Sequence, residues 1–133
     1  MLKRSRSAIY TTDYHLVFNT KYRRGVLQGG VARRAREILE VVVAKRGWTI
    51  REIRVISDHV HMLISISPQE RISDVVKHLK GTSSYYLFRE FPELRTKLRK
   101  GHLWAPSYFV RAAGNVTMGT IRRYIKEQEK RHE

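Results

Sequence analysis

Between Tyr10 and Phe18 the chain is rich in aromatic and β-branched residues, with Tyr14, Leu16 and Phe18 on one side, and this pattern predicts a strand. Gly29-Gly30 breaks it. From Val31 to Arg46 the period changes. Val31, Ala35, Ile38, Leu39 and Val42 fall at helical spacing with Arg and Glu between them, and Gly47 stands where a helix would end, because glycine adopts the left-handed conformation at little cost. Trp48–Ser57 predicts a second strand and His59–Ser67 a third. In the third, Val60, Met62 and Ile64 face one way and His59, His61, Leu63 and Ser65 the other. Only Asp58 separates the two strands, so they should form a hairpin. A second helix begins between Ser67 and Ser73, where Ser67-Pro68-Gln69-Glu70 has the pattern of a capping box with proline at the first helical position. Ile72, Val75, Val76, Leu79, Tyr86 and Leu87 form its apolar stripe, and Pro92 stops it. Gly81 inside this helix costs about 1 kcal/mol relative to alanine, which suggests a close backbone approach. Tyr108-Phe109-Val110 predicts a fourth strand, and after Gly114-Asn115 a last helix runs from about Val116 to Arg131.

The order is β-α-β-β-α-β-α. Its first six elements match an α+β, ferredoxin-like arrangement, a four-stranded antiparallel sheet with helices on one face. The seventh is an additional C-terminal helix. That fold carries many unrelated functions and says nothing about chemistry by itself. The length of 133 residues predicts one domain, 1–133.

Charge changes the picture. Lys and Arg number 27 against 12 Asp and Glu, a formal net charge of +15. Such an excess calls for a polyanionic partner, and nucleic acid leads because phosphate contacts release condensed counterions. The alternatives are an anionic membrane surface or an acidic protein. Basic residues cluster at Arg23, Arg24, Arg33, Arg34 and Arg36, at Arg95, Lys97, Arg99 and Lys100, and at Arg122, Arg123, Lys126, Lys130 and Arg131. Each cluster alone reads equally as a solvated helix face. The absence of cysteine excludes thiol chemistry and thiolate zinc sites. There is no 18-residue apolar run and no signal-peptide pattern, so we expect a cytoplasmic, nucleoid-associated protein and no membrane partner.

Two constellations could carry chemistry. In His59-Val60-His61 the histidines are two apart on a strand, hence on one face and about 7 Å apart along the backbone, so both imidazoles can reach one divalent cation. Two ordinary half-exposed histidines fit the same pattern. On the last helix, Tyr124 and Gln128 are four apart and share a face. Tyr124 could be a nucleophile and Gln128 a metal ligand. Equally, Tyr124 could simply pack beside Ile121 and Ile125.

Five segments together resemble a known family: Tyr14-His15-Leu16-Val17-Phe18 with Lys21-Tyr22-Arg23-Arg24; Asp58-His59-Val60-His61-Met62-Leu63; Val76-Lys77-His78-Leu79-Lys80-Gly81; Leu103-Trp104-Ala105-Pro106-Ser107-Tyr108; and Ile121-Arg122-Arg123-Tyr124-Ile125-Lys126-Glu127-Gln128. In order and spacing they resemble the single-tyrosine transposases of the IS200/IS605 group, which belong to the His-hydrophobe-His class. The resemblance implies that His59, His61 and Gln128 hold Mg²⁺ or Mn²⁺. It implies that Tyr124 attacks a single-stranded DNA phosphate, leaving a 5′-phosphotyrosine bond and a free 3′-OH. It further implies recognition of imperfect hairpins at element ends, and a homodimer in which each site takes its histidines from one subunit and its tyrosine helix from the other. Lys21, Arg23, Arg24, Arg95, Lys97, Arg99 and Lys100 are the candidates for DNA phosphate contacts.

Two other functions compete. One is a non-catalytic nucleic-acid-binding module, since a sheet bearing aromatics can stack bases. It lacks an RNP1-like run and leaves His59, His61, Tyr124 and Gln128 unexplained. The other is a domesticated relative that processes repeat hairpins.

Overall fold

The computed structural model describes residues 2–4, 9–98, 101–113 and 126. Of the predicted C-terminal helix only Lys126, which is helical, is described; Tyr124 and Gln128 lie outside the described residues, as do Arg99 and Lys100. Strands β1 (Leu2–Arg4) and β2 (Ile9–Thr11) pair antiparallel in a small two-stranded sheet. The main sheet holds β3 (Asp13–Asn19), β4 (Thr49–Ile56), β5 (His59–Ser65) and β6 (Phe109–Ala112). Its order is β4-β5-β3-β6, and every neighbouring pair is antiparallel. Among the described residues the helices are α1 (Gly29–Lys45), α2 (Ile72–Glu90) and the short α3 (Leu94–Lys97), besides a 3₁₀ turn at Lys21–Arg23 and the helical Lys126.

Alternation along the strands divides the sheet into two faces. Leu16 and Phe18 of β3, Ile53 of β4, and Val60, Met62 and Ile64 of β5 join one apolar cluster with Ala35, Ile38, Leu39, Val42 and Val43 of α1 and Val75, Val76, Leu79, Leu87 and Phe88 of α2. This is the helix-covered face. The β4–β5 hairpin forms as expected, turning at Ser57 and Asp58, with Ile56 opposite His59. Gly47 has φ 76° and its N–H donates to Ala44 O, ending the α1 segment as the sequence predicts.

Several expectations need correction. The strand expected from Tyr10 to Phe18 is two strands that break at Thr12, because Tyr10 and Thr11, with Ile9, pair with Leu2–Arg4 while the residues from Asp13 on join the main sheet. Ser67–Glu70 is not a capping box. It closes a separate turn, with Glu70 N–H donating to Ser67 O, and α2 opens one turn later behind Arg71 without a side-chain cap. Tyr86 stands 44% exposed on the predicted apolar stripe of α2, while Ser83 is fully buried there. The hydroxyl of Ser83 donates to Leu79 O at 2.7 Å and accepts the indole N–H of Trp104 at 3.0 Å, so a polar residue fits the core because both of its bonds are made. Trp104 in turn meets Phe18 edge-on, ring centroids 4.8 Å apart.

Gly81 makes no close approach, since a Cβ there would meet no atom within 4 Å. Gly81→Ala should therefore raise the free energy of unfolding in urea by about 0.5–1 kcal/mol. Phe18→Ala should lower it by about 3–5 kcal/mol, because Phe18 is only 1% exposed in the shared core. A destabilising Gly81→Ala would contradict the open space seen at that position.

Candidate active site

The histidines stand on the face of β5 turned away from the helix-packed core. Asn19 lies opposite His59, Val17 opposite His61, and Arg54 of β4 opposite His61 on the other side. All seven residues of β5 are buried, so this second face is covered too, and His59 and His61 have no exposed surface. Their rings meet edge to face with centroids 4.5 Å apart. The strand spacing foreseen from His-Val-His thus brings the two imidazoles together, and both are buried, unlike the two half-exposed histidines of the alternative reading.

Two neighbours escaped the sequence reading. Asp58, at the hairpin turn, places Oδ1 2.5 Å from His59 Nδ1. Its Oδ2 accepts from the Arg23 guanidinium at 3.1 Å. Desolvation pulls the Asp58 carboxyl toward the neutral form, but the His59 hydrogen bond and the charges of His59 and Arg23 outweigh it and hold its pKa below the usual carboxylate value. The signal for Asp58 was its place directly before the first histidine. His15 is the second. It is fully buried on β3, and its ring lies 6.3 Å from that of His61 at 21°, a diagonal cross-strand neighbour. Burial, and then the positive charge of Arg111 across the strand pair, lower its pKa to about 4.

The arrangement fits a divalent metal in part. In the neutral ring a proton on His59 Nδ1, shared with Asp58, leaves Nε2 as the electron-pair donor, the carboxylate–histidine pattern common behind metal ligands. A second imidazole stands beside it. Among the described residues no group of three His, Cys, Asp or Glu side chains is arranged to hold an ion, so the pair needs further donors from elsewhere.

The motifs that are scattered in sequence meet in space. The Lys21–Arg23 turn is joined to the β4–β5 hairpin by Thr20 N–H donating to Asp58 O at 2.9 Å. Lys80 Nζ of α2 donates to Ala105 O at 2.7 Å and Ser107 O at 2.9 Å, and burial lowers its pKa. Among the expected DNA contacts, Arg24 and Lys97 line one groove of about 350 Å³ with Gly25, Val26 and Thr96. Arg95 sits over the Phe88 ring at 4.7 Å. Lys21 lies over the Tyr22 ring, and Arg23 is engaged with Asp58. Of the α1 basic cluster, Arg34 pairs with Glu90 at 2.6 Å and Arg36 with Glu40 at 3.7 Å, as on a solvated helix face.

The family profile described as "Transposase IS200 like" matches residues 8–128. The chain belongs to the IS200-like transposase family. It is 40% identical over 127 residues to the ISDra2 transposase TnpA of Deinococcus radiodurans, covering 96% of this chain and 91% of that one. It is 36% identical over 119 residues to the transposase for insertion sequence element IS200 of Salmonella typhimurium, covering 90% of this chain and 78% of that one. A crystal structure of a Deinococcus radiodurans R1 protein assigned as a transposase superposes with a TM-score of 0.78 at 38% identity, over 95% of this chain and 97% of that one. The fold is also that of a REP-associated tyrosine transposase bound to a REP hairpin, with a TM-score of 0.61 at 16% identity, over 94% of this chain and 68% of that one. This transposase therefore carries its His59–His61 pair on the α+β, four-stranded antiparallel framework of its relatives. Among the described residues no helix is long and apolar enough to cross a membrane.

Between about pH 4 and 6.5 a His15 that is neutral when folded would be charged when unfolded. The unfolded chain then binds more protons, so stability falls as pH drops through that window. His15→Gln should flatten the fall in urea midpoint from pH 6.5 to 4. An unchanged slope would remove His15 as the source.

Proposed function

We propose that this transposase cleaves and rejoins single-stranded DNA at hairpin-marked element ends, with Tyr124 as nucleophile and a divalent ion held by His59, His61 and Gln128. The observation that carries the reading is the pairing of His59 and His61 on one buried face of β5, in a chain that belongs to this transposase family. We take the strand order β4-β5-β3-β6 as the ferredoxin-like arrangement, with the tyrosine on a following C-terminal helix.

When bound, Mg²⁺ or Mn²⁺ would polarise the scissile phosphate and stabilise charge on the departing 3′ oxygen. The residues of the chain do the rest. His59 and His61 offer ring nitrogens from a rigid central strand. The Tyr124 oxygen forms a bond to phosphorus as the bond to the 3′ oxygen breaks, giving a 5′-phosphotyrosine and a free 3′-OH. The energy of the broken bond stays in that linkage, so rejoining needs no nucleotide cofactor.

The partner is DNA, as the charge of +15 and the neighbour bound to a REP hairpin both support. Arg24 and Lys97, which line one groove, are the first candidates for phosphate contacts, and Lys21, Arg23, Arg95, Arg99 and Lys100 extend the basic set. One nucleophilic tyrosine per chain and two cuts per event favour a homodimer, and the resemblance to single-tyrosine transposases implies composite sites. Action on the DNA of the nucleoid suits a cytoplasmic protein.

The test is incubation with single-stranded end DNA and Mg²⁺, followed by denaturing electrophoresis. The wild-type chain should give a covalent protein–DNA adduct. Tyr124→Phe should give none while still retaining DNA, because phenylalanine has no oxygen to attack phosphorus. His59→Ala and His61→Ala should also abolish the adduct. Gln128→Ala should be milder, since water can replace a neutral ligand. If sites are composite, mixed Tyr124→Phe and His59→Ala subunits, shown by tags to exchange, should regain adduct. A wild-type yield from Tyr124→Phe would remove the nucleophile and turn attention to Tyr108 and Tyr85.

A further inference from the structure

The turn that follows β3 is built against the preference of its residues. Tyr22 and Arg23 are consecutive non-glycine residues with φ of 57° and 54°. A left-handed backbone costs an L-residue roughly 1–2 kcal/mol, so something must hold this turn in place. What holds it is the hairpin of the histidine strand. Thr20 N–H donates to Asp58 O at 2.9 Å, and the next segment returns to the same hairpin through Leu27 N–H donating to Ser57 O at 2.9 Å. Within the turn Thr20 Oγ1 donates to Arg24 O at 2.7 Å, and Arg23 N–H donates to Thr20 O at 2.9 Å. The outcome is a guanidinium 3.1 Å from one oxygen of Asp58, whose other oxygen is 2.5 Å from His59 Nδ1.

We propose that Asp58 and Arg23 are positioning residues for His59. The Asp58 carboxylate accepts the hydrogen bond of Nδ1–H of the neutral ring, fixing Nε2 as the electron-pair donor, and Arg23 anchors the carboxylate in that pose. This rests on the reading of His59 as a metal ligand. It gives Arg23 a role distinct from the phosphate contact its charge suggests, and it accounts for backbone strain at a surface turn with no glycine. Imidazole in water favours the opposite tautomer only weakly, so one well-aligned carboxylate is enough to decide it, as in other carboxylate–histidine pairs.

The experiment has two independent readouts on the full chain, each preceded by a thermal melt to show that the variant folds. The first is the tautomer of His59 in metal-free protein, read from ¹⁵N shifts and two-bond ¹H–¹⁵N correlations. The wild-type ring should carry its proton on Nδ1, and Asp58→Ala should move population to the Nε2-protonated form. The second is Mn²⁺ affinity by calorimetry. Asp58→Ala should weaken it by about 10–100-fold, the range typical of partners behind metal ligands. Arg23→Ala should weaken it less, and Arg23→Lys should recover part of the loss. Arg23→Ala is the informative variant if Asp58→Ala does not fold. A wild-type ring protonated on Nε2, or Mn²⁺ affinities within twofold of wild type for both Asp58→Ala and Arg23→Ala, would overturn the proposal. So would an Arg23→Ala chain that loses DNA retention with both metal-side readouts unchanged, because Arg23 would then serve the phosphate alone. If wild-type protein binds no Mn²⁺, the metal reading fails, and the tautomer measurement still decides whether Asp58 sets the ring.

Discussion

Strand β5 is paired on both edges and buried on both faces, and the rest of the molecule is arranged around that confinement. A strand with neighbours on each side has little freedom to slide, because a shift of one residue would turn Val60, Met62 and Ile64 out of the core and His59 and His61 into it. The helices supply the penalty for such a slip. Residues of α1 and α2 share a cluster with those three apolar side chains, so packing on one face fixes the position of the imidazoles on the other. A transposase gains from this. The two histidines proposed to meet the metal sit on a strand held on both edges, which is how a site keeps its geometry when a large, charged partner arrives.

Burying polar groups is costly unless they are hydrogen-bonded or neutral, and the covered face of the sheet uses both solutions. Asp58 is ionised and held between Arg23 and His59. His15 is kept neutral near pH 7 by burial and by the positive charge of Arg111. Basic residues farther away follow a different pattern. Some, such as Arg34 and Arg36, are engaged with acids on or beside α1, while Arg24 and Lys97 meet at a groove although more than seventy positions separate them. The net charge is therefore not spread evenly in function. Part of it is taken up internally, and part is gathered where a phosphate backbone could lie.

Much of this was legible from the sequence because it depends on local periodicity. The alternation of β5, the stripe of α1, the β4–β5 hairpin and the glycine that ends α1 are all decided by neighbours in sequence, and each appears where the pattern put it. What was not legible depends on register or on distant segments. His15 lies beside His61 only because β3 pairs with β5 in one register. The Arg23–Asp58 contact joins two turns, and no spacing rule connects them. The pairing of Leu2–Arg4 with Ile9–Thr11 divides a run that reads as one strand, and the indole N–H of Trp104 makes Ser83 acceptable on an apolar stripe. Local pattern also misled at Ser67–Glu70, where the cap signature is satisfied by an isolated turn.

The central claim is that His59 and His61 act together as donors to one divalent ion. It is tested most directly by pulsed electron paramagnetic resonance of Mn²⁺ bound to protein carrying ¹⁵N-labelled histidine, which counts the ring nitrogens coupled to the metal. The account predicts two directly bound histidine nitrogens in the wild-type chain and one in His61→Ala. Mn²⁺ bound with no coupled histidine nitrogen, or with the same count in His61→Ala as in wild type, would contradict it.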